Sequence, residues 1–189
     1  GHVAIFCQSY RMLEEIVREG YWPGRHTYIE DRKWSKRIVD RNLKELYNKR
    51  DGGIKVLLAG VFGGRLAEGV DYSGNILDAV ICVGIPIAPQ SVPQIALREY
   101  IEDKHGRGKG WKYGVIQPAV NSVLQGLGRA IRKVEDRAFI LLLDNRLLSG
   151  QYKSCLPPTL QPFTADNSGR TERRVKAFFE RHPAPARGE

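Results

Sequence analysis

The chain has 189 residues, a length that suits one domain of ordinary size. Hydrophobic residues make up 42% and charged residues 27%, which supports a packed core and excludes an intrinsically disordered chain. The formal net charge of +9 favours an anionic partner, most simply nucleic acid, provided the cations fall where a site is formed.

Val3–Cys7 is near-continuous apolar sequence and predicts a strand buried on both faces. Ser9 then caps a helix in which Met12, Leu13, Ile16 and Val17 form one stripe. Ser35–Asn48 is a second helix, carrying Ile38, Leu43 and Leu46 among charges. Asp51-Gly52-Gly53 turns into the strand Ile54–Val61, and Gly63-Gly64 turns out of it. The strand Ala79–Ile85 and the helix Gln94–Lys104 follow. Lys104–Lys112 (KHGRGKGWK), rich in glycine and basic residues, reads as an exposed loop. A helix over Pro118–Ile131, with Pro near its start, leads to the strand Ala138–Asp144. Beyond Pro157-Pro158 the pattern thins: 159–169 is expected to be irregular and Thr171–Arg181 to form a last basic helix.

Strands alternating with helices predict an α/β fold, a parallel sheet sandwiched by helices. A single domain is expected over 1–158, with 159–189 as a C-terminal extension. Ligands in such sheets gather beyond the C-terminal strand ends, a rim that would hold Ser9-Tyr10, Gly63–Asp71, Pro86–Gln90 and Asp144–Arg146. Apolar runs such as Val56–Ala59 and Phe139–Leu143 fall far short of the ~20 residues a membrane span needs. Gly1–Ser9 lacks the basic start and cleavage site of a signal peptide, so a cytosolic domain is expected. Cys7, Cys82 and Cys155 are too dispersed for a disulfide framework or metal knuckle, and no metal site is expected.

The densest chemistry lies in Gln125-Gly126-Leu127-Gly128-Arg129-Ala130-Ile131-Arg132. In a helix Gln125, Arg129 and Arg132 would share one face, with Gly128 leaving room for close approach. Two fixed guanidiniums beside an amide suit a polyphosphate; a solvated basic helix face is the plainer alternative. Gly63-Gly64-Arg65-Leu66-Ala67-Glu68-Gly69-Val70-Asp71 has the glycines of a loop that approaches phosphates or another backbone closely, and equally those of an ordinary strand-to-helix turn. Ser9-Tyr10 ends the first strand, where Ser9 suits a helix cap. Val83-Gly84-Ile85-Pro86 is read as a strand exit.

These strings resemble superfamily 2 helicases, the XPD and DinG branch in particular and XPD most of all. QGLGRAIR, followed by the strand ending LLLDNR, resembles motif VI and its successor; GGRLAEGVD resembles motif V; IFCQSY resembles motif IV, with Cys7-Gln8 departing from its usual aromatic-plus-small pair. The resemblance covers about Val3 to Pro158 and implies a RecA-like fold, the second motor domain of a 5′→3′ ATP-dependent DNA helicase with a role in nucleotide excision repair. It implies that Arg129 and Arg132 reach the ATP phosphates, Arg132 as arginine finger, with Gln125 positioning them. Glu68, Gly69, Asp71 and Gly128 would line the nucleotide, and Ser9, Tyr10, Gly64 and Arg65 would hold single-stranded DNA. No G-x-x-x-x-G-K-[ST], D-E-x-H or four-cysteine cluster occurs in the chain. ATP, Mg2+ and the family's 4Fe-4S cluster would then belong mainly to an N-terminal motor domain, and this portion alone is expected to be inactive. The implied partners are that domain, single-stranded DNA and repair-complex subunits. The implied location is the nucleus in a eukaryote or the nucleoid-associated cytoplasm in a prokaryote. A DinG-like helicase and a non-catalytic DNA- or protein-binding module are the alternatives.

Overall fold

The computed structural model describes residues 1–160, 162–165 and 167–183. It divides into two compact units, Gly1–Leu156 and Pro157–Glu189. The first is built on five parallel strands: β1 (Val3–Cys7), β2 (Arg25–Ile29), β3 (Lys55–Val61), β4 (Ala79–Val83) and β5 (Phe139–Leu143). Their order is β2-β3-β1-β4-β5. In this register Val3 lies opposite both Leu57 of β3 and Ala79 of β4, so β1 is hydrogen-bonded on both sides at the centre.

Position in the sheet explains the apolar sequence of the central strands. β1 is fully flanked, and Ala4, Phe6 and Cys7 are wholly buried. Alternation sends Ile5, Cys7, Leu57, Ala59 and Val61 to one face. Leu13 of α1 (Tyr10–Glu19) packs there, with Met12, Ile16 and Val17 against the same cluster. Leu46 of α2 (Lys36–Asp51) and Val120 and Val123 of α5 (Gln117–Leu127) are buried in the rest of the core, and α2 lies against β3 while α5 lies against β4. The expected cap is present: Ser9 Oγ accepts from the Met12 N–H at 3.3 Å. Cys7 and Cys82 behave as small hydrophobes, and burial pushes their thiols up to about 11 and about 12.

Three local expectations are corrected. β2 was not predicted: it is an edge strand in which only Tyr28 is buried, so RHTYI shows no apolar run. The basic stretch after α3 (Val92–His105) is not all loop. Gly106 and Gly108 turn the chain, and α4 (Lys109–Trp111) then runs through a π turn, Lys112–Ile116, straight into α5. Finally, α5 stops at Leu127, four residues before Ile131, with Gly128 as its C-cap. The chain then tightens into i→i−3 bonds, Arg129 N–H to Gly126 O at 3.3 Å and Ala130 N–H to Leu127 O at 3.1 Å.

A 3-10 turn, Asn145–Leu148, and α6 (Gly150–Lys153) finish the first unit. The second unit carries α7 (Ser168–Arg181), capped by the Asn167 side chain on the Arg170 N–H. Gln161 and Asp166, within the stretch expected to be irregular, lie outside the described residues. Among the described residues no helix is long and apolar enough to cross a membrane.

Candidate nucleotide and nucleic-acid site

The loop leaving β3 is anchored from within and armed on its outside. Phe62 N–H bonds Cys7 O at 3.0 Å, and Gly64 N–H bonds Val61 O at 3.0 Å. Gly63 takes φ +73°, a left-handed conformation suited to glycine, to make this turn. Leu66, Ala67 and Val70 are buried beneath the loop, and the phenol of the buried Tyr72 donates to Leu66 O at 3.0 Å. Arg65, Glu68, Gly69 and Asp71 are left exposed. One segment therefore places a cation and two carboxylates on a fixed outer edge.

A residue that the sequence did not single out organises this edge. Glu30 follows β2 and is only 3% exposed. Its carboxylate accepts from the Arg65 N–H at 2.6 Å, the Val61 N–H at 3.4 Å and the Tyr10 hydroxyl at 3.4 Å. Burying a carboxyl group is costly unless its oxygens are hydrogen-bonded, and three donors meet it here. A Cβ on Gly60 or Gly64 would lie 2.5 Å from that carboxylate, so both positions need their small residue. The Arg32 guanidinium lies 4.5 Å from the centre of the Tyr10 ring. Burial, and then the charge of Glu30, raises the Tyr10 pKa, so the phenol stays a donor. Tyr10, Gly64 and Arg65 thus converge on Glu30, and the exposed Ser9 lies next to them in the chain. No local motif marks Glu30: the three segments it joins are far apart in sequence, and its only signal is a carboxylate ending a strand.

The arginine segment meets the same loop. Because α5 has already ended, Gln125, Arg129 and Arg132 do not share one helical face as expected. Gly126 is buried, and a Cβ there would lie 3.0 Å from the Phe62 ring, so this glycine permits close packing of helix and loop. Gly128 and Gln125 are exposed. Arg129 turns onto the β3 loop, its Nε donating to Ala67 O at 2.7 Å and its Nη1 to Val70 O at 3.0 Å. Arg132 approaches Asp71 at 3.6 Å, with their side chains 40% and 72% exposed. An ion pair this open contributes about 1 kcal/mol or less, so it leaves the guanidinium available to another anion.

Asp136 holds the turn that presents Arg132. The residue is buried, and its carboxylate accepts from the Arg132 N–H at 2.8 Å and the Lys133 N–H at 2.9 Å. Those two donors hold its pKa below the ordinary aspartate value. This is a second supporting residue that motif reading missed, and it lies four positions after the arginine whose N–H it holds.

At the C-terminal rim, Arg146 donates to Asp144 at 2.6 Å, to Ile85 O at 3.2 Å and to Gln8 Oε1 at 3.4 Å, tying together the exits of β5, β4 and β1. Burial would raise the Asp144 pKa, but the hydrogen bonds and charge of Arg146 outweigh it and lower it. Asp144 and Arg146 therefore brace the rim. Among the described residues no group of three His, Cys, Asp or Glu side chains is placed to hold a metal.

Comparison with known proteins shows the family of the chain. The chain is 28% identical to the ATP-dependent DNA helicase chl1 of Schizosaccharomyces pombe over 94% of its own length and 23% of that protein's. It is 28% identical to the ATP-dependent DNA helicase XPD of Sulfolobus acidocaldarius over 82% of this chain and 27% of that protein. The chain therefore spans about a quarter of these curated relatives. A solved XPD helicase structure superposes with a TM-score of 0.62 at 28% identity, covering 82% of this chain and 27% of that one. The C-terminal domain of the DEAD-box protein Dbp5, at 17% identity and a TM-score of 0.54, shares the fold. Residues 1–163 match the family described as the helicase C-terminal domain. With most of its length matched and a five-stranded parallel RecA-like sheet beneath the matched motifs, the chain belongs to the helicase C-terminal domain family.

Proposed function

We propose that residues 1–158 form the second motor domain of an ATP-dependent DNA helicase of the XPD type, with 159–189 as an extension. The observation that carries this reading is the presentation of Arg132. Its main chain is pinned by Asp136, its side chain is exposed, and its neighbour is a solvated carboxylate rather than the core. A fixed, open guanidinium fits a phosphate chain. ATP, held with Mg2+ mainly by an N-terminal motor domain, would supply the phosphoanhydride bond whose hydrolysis drives the motor.

In this reading Arg132 is the arginine finger. It neutralises charge on the terminal phosphate, an effect worth about 10³–10⁵ in rate in other nucleotide hydrolases. Arg129 acts beside it chiefly by clamping the β3 loop, and Gln125 and Gly128 lie at the approach to both. Glu68, Gly69 and Asp71 form the nucleotide-facing edge of that loop. Ser9, Tyr10, Gly64 and Arg65 hold single-stranded DNA by its backbone and by the tyrosine ring, so sequence preference is slight. The 5′→3′ polarity, the repair role and the repair-complex partners rest on family resemblance. So does a 4Fe-4S cluster, which takes four thiolates, whereas this chain has three widely spaced cysteines, Cys7, Cys82 and Cys155.

The test is Arg132→Ala in a full-length protein. ATP turnover should fall by about three orders of magnitude while DNA binding largely survives; normal turnover would remove the assignment. The chain alone should hydrolyse no ATP, and a clear rate of its own would contradict a site shared between two domains.

A further inference from the structure

The hairpin formed by α3 and α4 belongs to neither cluster described above. No residue of α3 is buried, and the helix packs chiefly on α4 and the π turn. Between Lys104 and Tyr113 the sequence holds Lys104, His105, Arg107, Lys109 and Lys112 and no carboxylate. Aromatic rings alternate with these cations: Tyr100, Trp111 and Tyr113 are 59%, 37% and 45% exposed. The Lys104 ammonium lies 5.5 Å from the Tyr100 ring centre, and those of Lys109 and Lys112 lie 5.8 and 5.6 Å from that of Tyr113.

The surface is organised in advance. Glu102 accepts from the Gly108 and Gly110 N–H groups at 2.5 and 2.7 Å, which fixes the turn between the helices. Those bonds also lower its pKa and occupy that carboxylate, while the exposed Asp103 adjoins Lys104 at the edge of the cluster. Gly110 is buried, and a Cβ there would lie 2.3 Å from Arg98 O, so the glycine lets α4 close against α3. A pre-set turn spares a ligand the entropic cost of ordering it.

We infer that the α3–α4 hairpin is a second contact for single-stranded DNA, with Tyr100 and Tyr113 stacking bases and Lys104, Arg107, Lys109 and Lys112 facing phosphates. Cations alone would suit any polyanion, an acidic peptide included. Exposed rings set among them add the π faces that unpaired bases require and a carboxylate chain does not. The choice of polymer follows the function proposed above; the ring-and-cation surface stands independently of it.

The experiment measures fluorescence anisotropy of a labelled thirty-nucleotide oligo-dT with the 189-residue chain and its variants. Tyr100→Ala/Tyr113→Ala should weaken binding by about ten-fold or more, since stacking contributes ~1–3 kcal/mol per base, with the salt slope unchanged. The double Phe variant should bind like wild type, because the ring and not the hydroxyl stacks. Lys104→Ala/Lys112→Ala should weaken binding and make the slope shallower by about 1.4, at ~0.7 per lost phosphate contact. All four positions are at least partly exposed, so thermal melting should not move, and it checks that the variants fold. Affinity within two-fold of wild type in both alanine pairs overturns the inference. So does a loss confined to the lysine pair and matched by polyglutamate competition, which assigns the surface to an acidic peptide. Arg65→Glu separates the two proposals: a loss there alone leaves the DNA track standing without the hairpin, and a loss at the hairpin alone does the reverse.

Discussion

Replacing Glu30 with Ala removes one acceptor from three donors at once. The Val61 N–H is buried and the Arg65 N–H partly so. The Tyr10 hydroxyl is half-buried and can turn to water. A buried donor left unmade costs about 1–3 kcal/mol. The 2.6 Å bond to Arg65 lies at the upper end of that range and the 3.4 Å bond to Val61 at the lower. Together they set a loss of about 4 kcal/mol, or roughly 8–16 °C in melting temperature for a chain of this size. Glu30→Gln keeps an acceptor oxygen for Arg65 but turns an amide N–H2 toward the remaining donors, so about half the loss is expected. Thermal unfolding followed by near-ultraviolet circular dichroism measures the total. Amide hydrogen exchange over Gly63–Asp71 measures where it falls, and this loop should open first. A Glu30→Ala protein melting within 2 °C of wild type (: less than about 1 kcal/mol) with unchanged loop protection would refute the keystone role.

Asp136→Ala frees the two N–H groups that shape the Arg132 turn, so in a full-length helicase it should lower kcat for ATP while DNA affinity stays level; equal losses in both would show general unfolding instead. Gly126→Leu drives a side chain into the Phe62 ring and should destabilise by about 1–3 kcal/mol in urea unfolding, with Gly126→Ala milder. His2 is buried, its Nε2–H donates to Leu46 O at 3.0 Å, and its Nδ1 has no partner among the described residues; burial lowers its pKa despite that hydrogen bond. The unfolded chain therefore takes up the proton first as pH falls. Stability should be complete above about pH 6.5 and decline below it until the folded-state pKa is reached. Melting curves between pH 7.5 and 5 should show this decline and should flatten in His2→Gln; an unchanged slope in that variant would assign it elsewhere.

β1, β3 and β4 were legible because strands flanked on both sides need mostly apolar residues, as Val3–Cys7 and Lys55–Val61 have. β5, at one edge, was legible because its own residues, FILLL, are all apolar. β2, at the other edge, escaped because only Tyr28 of it is buried and its sequence shows no apolar run. Periodicity carried α5 past its end because nothing local distinguishes a glycine packed on Phe62 from one that merely weakens a helix. The Lys104–Lys112 glycines likewise read as a loop, yet Gly110 is where two helices touch. The site divides in the same way. Arg65, Asp71, Arg129 and Arg132 were visible as residues of the motif-like strings. Glu30 and Asp136 were not, since each works by accepting main-chain N–H groups, and such a partner leaves no trace in the residue types around it.

The grip of Arg129 on Ala67 and Val70 has an asymmetric genetic consequence. It is made to carbonyl oxygens, which every amino acid possesses. Substitutions at 67 or 70 that respect the packing keep both bonds, so these two positions can change without loosening the grip. A change at 129 loses both bonds in a single step, and even lysine, with its compact ammonium, cannot span the two oxygens as a planar fork does.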